Sequence, residues 1–195
     1  MKVLGLTGPT GSGKSTVSAV AKEKGAVVID CDKTARSVTK RGSMVLGELA
    51  AAFGEDILSK NGVLLRKRLA KKAFSTKENT DKLNKIILPY IVSALKAEIK
   101  YYREKGAGML ILDAPTLYES GIDKICDNII VVLSDQNKRR QRIIERDGLT
   151  DEQADIRLLA SKPDSYYCDR AKHIIYNNGD LTEAKNAVGK LLDIL

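Results

Sequence analysis

Short, continuously apolar runs alternate along the chain with longer segments whose apolar residues recur three and four positions apart. Val3, Leu4 and Leu6 open the first run, a strand over residues 1–6. Comparable runs at 26–29, 109–113, 128–133 and 173–176 predict four more strands. They are apolar at nearly every position, as strands buried on both faces of a parallel sheet tend to be. Helices are predicted over 15–24, stopped by Gly25, over 135–147, stopped by Gly148, over 150–159 behind a Thr150–Gln153 capping pair, and over 181–195. Residues 33–104 read as helical throughout, with no convincing strand. Val45 to Phe53 form one amphipathic piece. In another, over 64–74, Leu65, Leu69 and Ala73 share a face. Pro89 is expected to break or kink the helix at Leu88, and Ile91, Leu95, Ile99 and Tyr102 continue it. Strand–helix alternation predicts an α/β domain spanning 1–195, a three-layer α/β/α arrangement on a five-stranded parallel sheet. The excursion over 33–105 is longer than a plain crossover and reads as an insert forming part of a second binding pocket.

Bulk properties narrow this picture only a little. At 195 residues, 43% hydrophobic and 30% charged, the chain has enough material for one well-buried core. No apolar run approaches the roughly 18 residues of a membrane span, and Gly5 interrupts the apolar start, so neither a membrane anchor nor a secretory leader is expected. Cys31, Cys126 and Cys168 are scattered, which suggests free thiols in a reducing cytoplasm and no zinc site. The net charge of +8 fits polyanion binding or an enzyme that handles several phosphates. With 7 Tyr, 2 Phe and no basic–aromatic interleaving, no nucleic-acid partner is expected. A monomer or weak homo-oligomer is the expected state.

The chemistry begins at residues 8–15, Gly-Pro-Thr-Gly-Ser-Gly-Lys-Ser, which match G-x-x-x-x-G-K-[ST] without a mismatch between a predicted strand and a predicted helix. Glycines let such a loop curl so that successive N–H groups converge on anionic oxygens, and the helix N-terminus adds its positive end. Gly11, Ser12, Gly13, Lys14, Ser15 and Thr16 are the candidate ATP-binding residues. Lys14 reaches the β- and γ-phosphates, and the Ser15 hydroxyl is a direct Mg²⁺ ligand.

Acids stand at the ends of two other strands. In extended chain Asp30 and Asp32 share a side while Cys31 faces away; the alternative is that one of them caps a helix starting near Lys33. Asp113 ends the third strand, where an acid orients Mg²⁺, usually through water. Arg139, Arg142 and Arg146 share a helical face. This is either a solvated charged helix or a lid over 136–150 that brings guanidinium groups to a migrating phosphoryl group. Arg66, Lys67, Arg68, Lys71 and Lys72 make a second basic face, either solvated or turned to an anionic substrate. His173, the single histidine, reads as structural. Two classes fit these features, a small-molecule kinase and a nucleotide-switch module. Asn137-Lys138-Arg139-Arg140 lacks the acid of a guanine-reading N-K-x-D motif, which favours a kinase, with a nucleoside or nucleotide among the acceptors left open.

Over nearly its whole length the chain also resembles the dephospho-coenzyme A kinase family. The similarity is carried by Leu6-Thr7-Gly8 through Thr16, by Val28-Ile29-Asp30-Cys31-Asp32 with Ala35-Arg36, and by Asn61 to Leu64 with Arg66, Leu69 and Phe74. It continues through Leu83 to Ile86, Pro89 to Ile91, Asp113 to Glu119, Arg142, Arg146-Asp147 and Asn177-Asn178-Gly179. The resemblance implies transfer of the ATP γ-phosphoryl group to the 3′-hydroxyl of dephospho-coenzyme A, with Mg²⁺ as cofactor. It implies Asp32, Lys14 and Arg142 as catalytic groups, Arg142 being a lid arginine, and Asp30 near Mg²⁺ or the acceptor ribose. It further implies Asp30, Arg36, Arg66 and Leu117 as acceptor contacts. The sequence departs from the family pattern at Leu88, Thr116 and Ser161-Lys162.

Overall fold

A computed structural model of the protein describes residues 1–194. Its strands are β1 (Lys2–Thr7), β2 (Val27–Asp30), β3 (Met109–Asp113), β4 (Asn128–Leu133) and β5 (His173–Tyr176). They form one parallel sheet in the order β2-β3-β1-β4-β5. The helices are α1 (Lys14–Glu23), α2 (Cys31–Val38), α3 (Met44–Phe53), α4 (Arg66–Ala73), α5 (Lys77–Glu104), α6 (Gln136–Asp147), α7 (Asp151–Leu159), α8 (Asp164–Cys168) and α9 (Leu181–Ile194). The chain divides into two compact units, Met1–Asp30 with Tyr101–Leu195, and Cys31–Lys100. No helix among the described residues is long and apolar enough to cross a membrane.

In the first unit, strand alternation gives the sheet two apolar faces. Leu4, Leu6, Ile130 and Val132 point to one side, where Val17, Val20 and Ala21 of α1 and Val188 and Leu192 of α9 cover them. Val131 and Leu133 point to the other and meet Tyr167 of α8. Gly5 also lies on that second side. A Cβ there would stand 2.8 Å from Leu117 Cδ2 and 3.0 Å from Cys126 Sγ, so this glycine makes room for a tightly packed segment. In the second unit, α3 contributes Val45, Leu46, Leu49 and Phe53 to a core completed by Ile57, Leu64, Leu69, Ala73 and Leu83. The Thr34 hydroxyl donates to Glu98 at 2.8 Å, tying α2 to α5.

Two expectations change, and one helix is added. The chain does not stay extended through Asp32, because α2 starts at Cys31. Pro89 does not end its helix; α5 runs through it for 28 residues. An interior proline costs about 3 kcal/mol. Burying Leu83, Ile91, Leu95 and Ile99 on the same helix returns roughly 1.5–3 kcal/mol for each side chain, which outweighs it. Lys85, whose carbonyl loses its partner, is exposed, so water can serve it. The short helix α8 behind Pro163 was not foreseen, because five residues are too few for a periodic signal. Of the expected closing helix, Leu195 lies outside the described residues.

Burial pushes the Cys126 thiol from 9.0 to about 12, with Asp123 and Asp127 adding to the shift. The unfolded thiol ionises first, so stability linked to it is intact below pH 9 and declines as pH rises from there toward 12. Urea melts between pH 8 and 11 should therefore show a steeper alkaline loss for the native protein than for Cys126→Ala. Iodoacetamide at pH 8 should leave Cys126 unmodified until urea is added.

Candidate active site

The loop between β1 and α1 is shaped by close approaches. Gly13 caps α1 with φ 92°, and a side chain there would collide with the Asn177 amide. Gly11 has φ 75°, and a Cβ on it would sit 2.7 Å from the Arg139 carbonyl oxygen. A positive φ together with the Asn177 side chain at Gly13 and the α6 backbone at Gly11 leaves room for glycine alone at these two positions. Lys14 folds over the loop, its Nζ donating to the Gly8 carbonyl at 2.8 Å and reaching the Pro9 carbonyl at 3.5 Å. The Ser12 hydroxyl is buried and has no hydrogen-bond partner among the described residues. An unsatisfied hydroxyl among converging amides is chemistry suited to an anionic oxygen.

The carboxylates arrive by strand register. Asp113 pairs with Leu6 of β1 on one side and with Asp30 of β2 on the other, which brings both acids to the sheet edge from which the loop departs. Ser18 of α1 donates to Asp113 Oδ2 at 2.8 Å, fixing one carboxylate against the helix that carries Lys14 and Ser15. Among the described residues no group of three or more His, Cys, Asp or Glu could hold a metal ion by itself. A few hard oxygen donors without a protein cage fit Mg²⁺, which keeps several waters and takes phosphate oxygens as ligands.

The arginines of α6 do not act as one face. Arg139 is nearly buried and pairs with Asp164 at 3.0 Å. Arg146 pairs with Asp147 at 2.8 Å, and that hydrogen bond holds the Asp147 carboxyl below its ordinary range. Arg140 binds Asp155 at 2.6 Å and Asp151 at 3.1 Å. With Ile143 packed on Ala154 and Leu158, these contacts join α6 to α7. Arg142, expected as a lid arginine, reaches the carbonyls of the phosphate loop. Its Nη1 lies 3.3 Å from the carbonyls of Gly11 and Ser12 and 3.1 Å from Ser134 Oγ, and its Nη2 lies 3.0 Å from the Asn177 carbonyl. A five-donor group finds its acceptors on the carbonyl side of the loop.

Asp32 lies in the second unit, exposed in the first turn of α2, with Cys31 buried before it. Both acids are exposed and the cysteine between them is buried, as the extended reading required, but a helix start produces this and not an alternating strand. Arg66 at the start of α4 donates through Nη2 to Thr39 Oγ1 at 2.7 Å and lies 3.2 Å from the Arg36 carbonyl, which brings Arg36 and Arg66 together. On the same helix Lys72 binds Asp56 and the Phe53 carbonyl, and Arg68 reaches the Asp56 carbonyl at 3.0 Å. Part of the basic face is therefore spent on the unit's own loops. Leu117, expected among the acceptor contacts, is fully buried beside Gly5.

Ser18, Ser134 and the side chain of Asn177 were not singled out from the residues. Ser134 and Asn177 each directly follow a strand, and the rule that ligands gather outside the carboxyl ends of parallel strands finds them when applied to all five.

The sequence matches the family described as dephospho-CoA kinase over residues 2–183. It is 37% identical to the dephospho-CoA kinase of Corynebacterium glutamicum, over 97% of this chain and 94% of that relative. It is 39% identical to that of Fusobacterium nucleatum, over 99% and 98%. The solved structure of a Thermus thermophilus protein is similar with a TM-score of 0.82 at 29% identity, covering 100% of this chain and 97% of that one.

Two glycine substitutions should separate loop geometry from ordinary helix propensity. Gly13→Ala places a side chain in left-handed backbone against Asn177 and should lower the unfolding free energy by about 1–2 kcal/mol or more in urea titrations. Gly47→Ala, in open space on α3, should raise it by about 0.5–1 kcal/mol.

Proposed function

The chain belongs to the dephospho-CoA kinase family, and on that premise we propose how its residues carry out ATP-dependent phosphorylation of the dephospho-CoA 3′-hydroxyl, the final step of coenzyme A biosynthesis. The reading rests most heavily on the family match over residues 2–183, joined to a phosphate loop whose Ser12 hydroxyl is buried and unpaired among the described residues.

In this reading the amides of residues 11–16 and the positive end of α1 receive the ATP phosphates. Lys14 exchanges its loop carbonyls for β- and γ-phosphate oxygens, a swap that replaces neutral acceptors with charged ones. Ser15, Asp30 and Asp113 are the residues that would hold Mg²⁺, Asp113 being oriented by Ser18. The bound ion would supply charge neutralisation across the phosphates. Asp32 accepts the proton of the acceptor hydroxyl. Its support is an exposed carboxylate in the first turn of α2, directly after the strand that carries Asp30. Arg36 and Arg66 give the acceptor's pyrophosphate two cationic side chains on one short stretch of structure. The free thiols Cys31, Cys126 and Cys168 support a cytoplasmic setting.

An ATP-consumption assay with dephospho-CoA beside a nucleoside panel tests the acceptor. Turnover with dephospho-CoA alone is expected; turnover with a nucleoside and none with dephospho-CoA would overturn the assignment. Asp32→Asn should reduce kcat on the order of 10²-fold or more with ATP still bound. Near-normal kcat would remove Asp32 from the proton transfer.

A further inference from the structure

We propose that Asn177, together with Ser134 and Arg142, is a positioning device that aims the phosphate loop from behind, so that the affinity of the donor site for a nucleoside triphosphate is set partly at the end of β5. This rests on the reading of the loop as the ATP site. The observations form a closed network. The Asn177 Nδ2 donates to the Ser12 carbonyl at 2.9 Å, and its backbone N–H donates to the Leu133 carbonyl at 2.8 Å. Ser134 Oγ donates to the Asn177 carbonyl at 3.0 Å, and Arg142 adds its contacts to that carbonyl, to Ser134 Oγ and to the carbonyls of Gly11 and Ser12. Asn177 and Ser134 are both nearly inaccessible to solvent. The next residue joins in: Asn178 accepts the Asp135 N–H at 2.6 Å through Oδ1, and its carbonyl accepts Lys138 Nζ. The start of α6 and the end of β5 thus hold one turn between them.

The physical consequence follows from peptide planarity. The Ser12 carbonyl and the Gly13 N–H belong to one planar unit and point in opposite directions. Two donors fixed on the Ser12 oxygen therefore aim the Gly13 N–H away from Asn177, into the concave side of the loop. The match is steric as well, since the missing side chain of Gly13 is what admits the Asn177 amide. A loop built to present N–H groups to phosphate necessarily turns carbonyls outward. These carbonyls need donors to stay in place before the anion arrives. A buried asparagine supplies one donor without adding charge, and Arg142 supplies several together with a positive field behind the loop.

The test compares Asn177→Ala and Ser134→Ala with the unmodified protein, reading ADP and ATP dissociation constants by calorimetry, the KM of each substrate, kcat and the melting temperature. Asn177→Ala should weaken nucleotide binding about fivefold or more, and Ser134→Ala about two- to threefold, with the KM for dephospho-CoA unchanged within twofold. Nucleotide constants within twofold of the unmodified protein in both variants, or equal losses for both substrates, would overturn the proposal and leave the network as scaffold. If Asn177→Ala does not fold, the Ser134→Ala constants decide alone. Failure of the unmodified protein to bind ATP would overturn the donor-site reading and this proposal with it, and it is recognised by needing no substitution.

Discussion

A backbone that turns its N–H groups toward one point must turn its carbonyls away from it. That constraint governs the loop at residues 8–15 and much of the unit around it. The converging amides and the end of α1 make an anion seat, but the outward carbonyls of Gly8, Gly11 and Ser12 would strain or wander without donors. Lys14, Asn177 and Arg142 supply them. On the proposed function the lysine contact is the one exchanged for a phosphate oxygen, while the asparagine and arginine contacts lie behind the loop and remain. The arrangement separates a donor that moves with the ligand from donors that keep the seat in shape.

The parallel sheet delivers these groups together. Each strand ends at the same edge, so the residue that closes or follows it arrives there whatever its distance in sequence. β3 brings Asp113 beside Leu6, β2 brings Asp30 beside Asp113, and Ser134 and Asn177 follow β4 and β5. The acids and the clamp thus flank the loop on opposite sides of β1, at neighbouring strands in both directions. One side gathers oxygen donors suited to a hard cation, and the other gathers N–H donors suited to carbonyls. The chemical asymmetry of the edge comes from single residues at strand ends, set by register.

The second unit solves a different problem. Its core is apolar, from α3, α4, α5 and the segment between α3 and α4, and Arg66 is bound to the Arg36 carbonyl and to Thr39. Asp56 is held low by its hydrogen bond to Lys72, which shows how part of a basic surface is used for internal fastening. Pairing Lys72, Arg139, Arg140, Arg146 and Arg157 with acids neutralises both signs together, so it leaves the net charge of +8 unchanged.

The sequence by itself determined the strands, the phosphate loop and the family. Continuous apolar runs and an eight-residue motif are local signals, and local propensity and sterics are enough to read them. The strands over 109–113, 128–133 and 173–176 fall where the apolar runs put them. The fate of Pro89 was not legible, because the cost of a proline is local while the burial that outweighs it is tertiary. The burial of Leu117 was not legible for the same reason: the space beside Gly5 that it fills is tertiary. Arg142 lay on a face shared with Arg139 and Arg146, yet each found a different partner, because helical spacing fixes direction and not what waits there. Which carbonyls stand within reach of a guanidinium, and that the Asn177 amide meets the Ser12 carbonyl 165 positions away, came from the folded arrangement, because no local pattern links residues so far apart.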